Sequence, residues 1–166
     1  MFLEKNTITL PCYDGIDVEY ISEKIKDFDA IVVGIRAYNT VPELAFKQDV
    51  LMDYVKNGGV MLVQYNTNRR LVTDQLAPYT LELSRDRVTN ENSKVTILEP
   101  NHPALTSPNK ITQSDFNGWV QERGLYFPNE WADEYTPILS MNDAGESPKN
   151  GSLLVAPYGN GHYIYT

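Results

Sequence analysis

Apolar residues along this chain change period between residues 27 and 68, and those changes mark its clearest unit. Residues 29–35 (Asp-Ala-Ile-Val-Val-Gly-Ile) form a short, nearly continuous apolar run with β-branched members, the pattern of a strand buried on both faces. After Arg36-Ala-Tyr-Asn39 comes Thr40-Val-Pro-Glu43, which has the form of a capping box. Thr40 accepts from the Glu43 amide, Glu43 reaches back, and Pro42 sits in the first turn, where a missing amide does no harm. The spacing then predicts a helix with Phe46, Val50, Leu51, Tyr54 and Val55 on its buried face and Lys47, Asp49, Asp53 and Lys56 turned to water. Asn57-Gly58-Gly59 supplies the stop and residues 60–65 the next strand. Strand, helix, strand in this order predicts a βαβ unit with parallel strands.

The flanking text is less regular. Residues 16–20 suit a short strand or turn, and residues 21–27 a short helix before the buried strand. Residues 94–98 and 135–139 read as strands, whereas 101–134 is rich in Pro, Asn and aromatics with little periodicity. A long irregular stretch of that kind is uncommon in a compact domain and often functional. The chain closes with a hairpin, strands at 152–156 and 162–165 about a turn at 158–161. A doubly wound sheet usually opens with a strand and helix that are not found here, and the text stops inside its last strand. The expectation is one domain over residues 1–166, cut from something longer.

At 166 residues and 42% hydrophobic content, the chain is large enough to bury a core of its own. Its net charge of −8 argues against a general nucleic-acid or anionic-membrane surface, which needs the opposite balance. The single cysteine, Cys12, excludes an internal disulfide, and with only His102 and His162 beside it there are too few soft ligands for a structural zinc site. No cofactor is expected. No apolar run approaches the about 18 residues of a spanning helix, and the opening residues lack the pattern of a signal peptide, so no membrane insertion is expected.

Ligands of open parallel sheets bind outside the carboxyl ends of the strands. Two polar loops fall there, and they bring together Arg36, Tyr38, Asn39, Gln64, Asn66, Asn68 and Arg69. This set is rich in donors and almost free of acid, and it suits a carboxylate, a phosphate or sugar hydroxyls. The competing reading pairs Arg36 and Arg69 with Asp86 or Glu122 and gives the asparagines to turns. The loop after Val63 has no small-residue elbow for a nucleophile, and Cys12 lacks a basic neighbour. His102, before Pro103, reads either as a loop residue bonded to backbone or as a base; His162 reads as packing in the hairpin. Residues 114–131 hold Phe116, Trp119, Tyr126, Phe127 and Trp131 interleaved with Asp115, Gln121, Glu122 and Arg123. Flat aromatics beside planar hydrogen-bonding groups suit a sugar; equally, they can pin a long loop to the sheet or bury against another domain.

Residues 29–68, Ser84-Arg-Asp-Arg-Val88, His102-Pro-Ala-Leu105, residues 118–128 and Pro137-Ile-Leu-Ser-Met-Asn142 together resemble the C-terminal domain of some large bacterial PIG-L (LmbE-like) deacetylase-family proteins. The unit ending in Asn57-Gly58-Gly59 also resembles the class I glutamine amidotransferase-like superfamily, including its trehalose-utilisation-like branch. The resemblance implies an α/β, flavodoxin-like three-layer sandwich with a mostly parallel central sheet, and an accessory domain beside a carbohydrate-active catalytic domain in an exported parent. Ala104-Leu105 follow His102-Pro103, so no zinc ligand carries over, and Tyr65-Asn66 stand where the amidotransferase cysteine belongs. The expectation is a non-catalytic domain that binds a saccharide or small anion at the rim, under Trp119 and Arg123, or docks on the deacetylase-like domain. The alternative is a hydrolase that uses a carboxylate such as Glu122 with His102.

Overall fold

A computed structural model describes residues 7–10 and 24–166; Cys12, the element expected at 16–20 and the start of the helix expected at 21–27 lie outside the described residues. The βαβ unit is present. Strand β2 (Ala30–Val33) runs parallel to β3 (Val60–Val63), with Ala30 opposite Val60 and Val33 opposite Val63. Between them lie a single turn, α1 (Ala37–Thr40), and the main helix, α2 (Glu43–Lys56).

The entry to α2 differs from the predicted capping box. Pro42 occupies the N-cap and no side chain caps the helix. Arg36, in the left-handed region at φ 58°, starts the extra turn α1 instead, and the Thr40 hydroxyl donates back to the Arg36 carbonyl (3.1 Å). The buried stripe of α2 is Leu44, Gln48, Leu51 and Val55, joined by Tyr54, while Phe46 is 84% exposed. Positions 44, 48, 51 and 55 share one helical face, and residue 46 lies well round the cylinder from it. The glycine stop acts as expected: Gly58 takes φ 117°, its N–H bonds the Val55 carbonyl (2.9 Å), and the Gly59 N–H bonds the Tyr54 carbonyl (3.0 Å).

The C-terminal hairpin also forms, from β8 (Lys149–Tyr158) and β9 (Gly161–Tyr165). Its placement changes the architecture. β9 lies beside β3, parallel to it, so the hairpin sits inside the sheet. With β1 (Thr7–Leu10), β7 (Thr136–Met141) and β5 (Val95–Ile97), the sheet has seven strands in the order β1-β2-β3-β9-β8-β7-β5. Its β1-β2-β3-β9 side is parallel, and every pairing from β9 through β8 and β7 to β5 is antiparallel. A separate two-stranded antiparallel ribbon joins β4 (Leu81–Val88) to β6 (Gly124–Trp131), and β6 lies within the stretch that reads as irregular in sequence.

These findings overturn the flavodoxin-like three-layer sandwich and, with it, the amidotransferase-like architecture expected from the resemblance. Alternation along the strands separates two cores. Met61, Val63, Leu154, Tyr163 and Tyr165 face α2 and the loop after β3, in a core that includes Tyr38, Leu51 and Leu76. Leu62, Val155 and Ile164 point to the other face, where Val88, Phe127 and Leu105 cover them. That second face is closed by the β4–β6 ribbon and by a one-turn helix, α3 (Pro103–Thr106), where a sandwich would place long helices. Among the described residues no helix is long and apolar enough to cross a membrane.

Candidate functional site

The carboxyl ends of the parallel strands open on a cleft of about 570 Å3. Ile35 follows β2, Gln64 and Tyr65 follow β3, and Thr166 follows β9; Leu139, Met141 and Ser152 continue the floor on the antiparallel side. The roof is the segment from Phe116 to Leu125. Phe116 and Trp119 stack at 6.2 Å with their planes 23° apart, and the Arg123 guanidinium stands 6.0 Å from the Trp119 ring centre. Arg123 is fixed by carbonyls: its Nε donates to Ser93 (2.9 Å) and its Nη1 to Phe116 (2.7 Å). Its N–H bonds the Val88 carbonyl at the end of β4 (2.9 Å), which ties the roof to the ribbon.

Glu122 also lines the cleft, and its carboxylate is held in a two-point ion pair by Arg87 of β4 (Arg87 Nε to Glu122 Oε2, 2.8 Å, and Nη2 to Oε1). The hydrogen bonds that Arg87 donates to Glu122, and the Glu122 charge, raise the pKa of Arg87 further. Past this ion pair lies a second concavity of about 360 Å3, walled by Thr67, Asn68, Arg69, Arg85, Arg87, Leu125 and Tyr126. Leu125 borders both hollows.

The residues expected at the rim separate into three groups. Gln64, Trp119 and Arg123 reach the cleft, and Asn68 and Arg69 reach the second concavity. Tyr38 and Asn66 are fully buried and commit their polar atoms inside the fold. The Tyr38 hydroxyl donates to Gln48 Oε1 (2.6 Å), its N–H bonds Asn66 Oδ1 (3.0 Å), and the Asn66 N–H donates to the Tyr165 hydroxyl (2.9 Å). Burial raises the Tyr38 phenol well above its ordinary pKa, against the smaller opposing effect of the Gln48 bond. Asn39 is equally committed, donating to the carbonyls of Thr67 (3.2 Å) and Arg69 (3.0 Å) and accepting from the Thr67 N–H (2.8 Å). Arg36 is exposed and acts through its backbone, its N–H bonding the Tyr65 carbonyl (2.9 Å).

His102 and Glu122, the pair of the hydrolase alternative, have separate partners. His102 is the N-cap of α3, and its Nδ1 accepts from the Ala104 N–H (3.1 Å). Partial burial, with a lesser push from His162, lowers its pKa against the pull of Glu99. Among the described residues no group of three His, Cys, Asp or Glu could hold a metal ion. Arg85 and Arg87 are absent from the rim set read in the sequence, although Arg-x-Arg on a strand places two guanidiniums on one side. That signal is visible only once residues 81–88 are known to be a strand.

No known family model and no curated protein matches the chain. Among solved structures, 95% of the chain superposes on 64% of the Cytoplasmic Protein STM1381 from Salmonella typhimurium LT2 (TM-score 0.53, 15% identity). A β-galactosidase from Rahnella sp. R3 matches 98% of the chain over 28% of its own length (TM-score 0.51, 13% identity). The chain thus spans less than two thirds of either protein, and at these identities the likeness is one of fold alone.

Proposed function

We propose that this chain is a non-catalytic binding domain whose cleft takes a saccharide. One observation carries the reading: at the strand carboxyl ends, the stacked Phe116–Trp119 pair and the fixed Arg123 share a single concavity with Gln64 and Gln121. A sugar ring offers C–H faces to the aromatics and hydroxyls to the planar amide and guanidinium groups. Trp119 remains 46% exposed while braced by Phe116 and Arg123, so its exposed part is offered with little side-chain entropy left to lose. In a longer parent the domain would serve as the accessory module of a deacetylase-like catalytic domain, holding the carbohydrate beside it.

Calorimetric titration with neutral mono-, di- and trisaccharides, acetylated amino sugars among them, tests the reading. Binding is expected, and Trp119→Ala is expected to weaken it about tenfold or more with the melting temperature unchanged. A panel without binding, or binding that Trp119→Ala leaves alone, overturns the assignment. A second reading rests on Ile35, Trp119 and Val120, large apolar side chains exposed at the mouth of the same cleft. These would dock the deacetylase-like domain, and association with that domain, lost in Val120→Asp, is its measurement.

A further inference from the structure

We infer that the second concavity is an oxyanion subsite, and that the saccharide taken by this domain is an acidic one whose carboxylate or sulfate lies against Arg69 and Arg85. The inference rests on the saccharide reading of the cleft and deepens it. The chain carries six arginines against an overall charge of −8, and three of the six, Arg69, Arg85 and Arg87, line this one hollow. Glu122 neutralises Arg87. Among the described residues, the Arg69 and Arg85 guanidiniums have no hydrogen-bond or ion-pair partner. The neighbouring carboxylate of Asp86 lines a different hollow with Trp131 and Lys149. Two uncompensated guanidiniums converging in a concavity favour an oxyanion, since the planar fork of arginine matches carboxylate and sulfate oxygens in pairs.

The position of the hollow links it to the sugar. Leu125 is a wall of both cavities, and the Glu122–Arg87 ion pair spans them, Glu122 in the cleft and Arg87 beyond. A ring stacked on Trp119 would therefore send its next unit past Leu125 towards Arg85. Asn68 supplies an independent observation. Asn39 and Asn66 spend their amides on backbone partners, whereas Asn68 Oδ1 is buried with no hydrogen-bond partner, in the wall of the arginine hollow. An unpaired buried acceptor is costly, so the Asn68 amide gains by turning towards a hydroxyl beside the anionic group. Hydroxyl and oxyanion on adjacent atoms describe a uronic or sulfated sugar.

Calorimetry with one neutral trisaccharide, its uronic-acid counterpart and its sulfated counterpart, together with inorganic sulfate and phosphate alone, separates the outcomes. The acidic forms are expected to bind at least about tenfold more tightly than the neutral one, by a margin that shrinks with added salt. That margin should vanish in Arg69→Gln/Arg85→Gln, an exposed pair whose replacement leaves the melting temperature unchanged, while neutral binding persists. Trp119→Ala should weaken all three alike. Equal affinity for neutral and acidic forms, or a margin that survives the double substitution, overturns the inference and leaves the saccharide reading intact. Inorganic sulfate or phosphate binding that needs the two arginines, with no saccharide of any kind bound, overturns the acidic-saccharide assignment and the saccharide reading together, leaving a simple anion site. Preference for the uronic over the sulfated form, or the reverse, identifies the oxyanion.

Discussion

Asp143 accepts four hydrogen bonds from a single loop: from the Thr89 N–H and hydroxyl (both 2.8 Å), the Asn90 N–H (3.0 Å) and the Ser93 hydroxyl (2.9 Å). The Thr89 N–H, then that of Asn90, do most to hold its carboxyl well below the ordinary range. The unfolded chain protonates this group near about pH 3.9, the folded protein only at lower pH, so its contribution is fully present above that value. It is lost as pH falls through about 4 towards the depressed folded pKa. Asp143→Asn is therefore expected to lower stability at neutral pH and to flatten the loss of stability below about pH 4, as measured by urea unfolding at a series of pH values. The same loop presents the Ser93 carbonyl to Arg123, so the substitution should also loosen the cleft roof and weaken the saccharide binding proposed for it. Single residues were legible only in part. Tyr38, Asn39 and Asn66 look like rim donors because they stand in loops at strand ends, yet loop backbone needs partners when buried; the Asn39 and Asn66 side chains supply them, and the Tyr38 hydroxyl is spent on Gln48.

The junction of α2 with the hairpin carries a second expectation. The Asn160 N–H bonds the Lys56 carbonyl (2.9 Å) and the His162 N–H bonds the Gly59 carbonyl (3.2 Å), so the hairpin turn caps the helix. A Cβ on Gly161 would lie 2.1 Å from the Val55 carbonyl oxygen and 2.2 Å from that of Gly59. Backbone oxygens cannot swing away as a side chain can. Gly161→Ala should cost about 1–3 kcal/mol, seen as a drop in the unfolding midpoint. On the helix itself, Phe46→Ser should change stability by no more than about 0.5 kcal/mol, whereas Leu51→Ala should cost about 2–5 kcal/mol; chemical denaturation distinguishes this orientation of α2 from the one its spacing predicts. The βαβ unit and the hairpin are legible because local pattern and turn chemistry agree there. The ribbon is not. β6 contains Gly124, Pro128 and Asn129 with Tyr126 at φ 52°, and β4 loses its alternation after Leu83, where the register of the pair also shifts.

Across the whole molecule, pairing between distant segments decides the architecture, and local pattern does not encode it. The text of residues 162–165 announces a hairpin strand, but nothing in it says that the strand will also lie parallel to β3, with Val60 opposite His162. That one pairing makes the sheet mixed, and it leaves the second face to be closed by the ribbon and α3. The candidate site inherits the same dependence, since Arg85, Arg87 and Arg123 reach their places through the β4–β6 pairing and its ties to the roof. Central placement of β9 also has a consequence in time. The Asn66 N–H meets the Tyr165 hydroxyl across 99 positions of chain, so the sheet's two halves join only after a long loop closes, a slow step for contacts of this range. Until it does, β3 offers an open edge that any matching strand can occupy. At high concentration during refolding, the matching strand nearest to hand is the hairpin of another copy, and dimers with exchanged hairpins are the expected by-product.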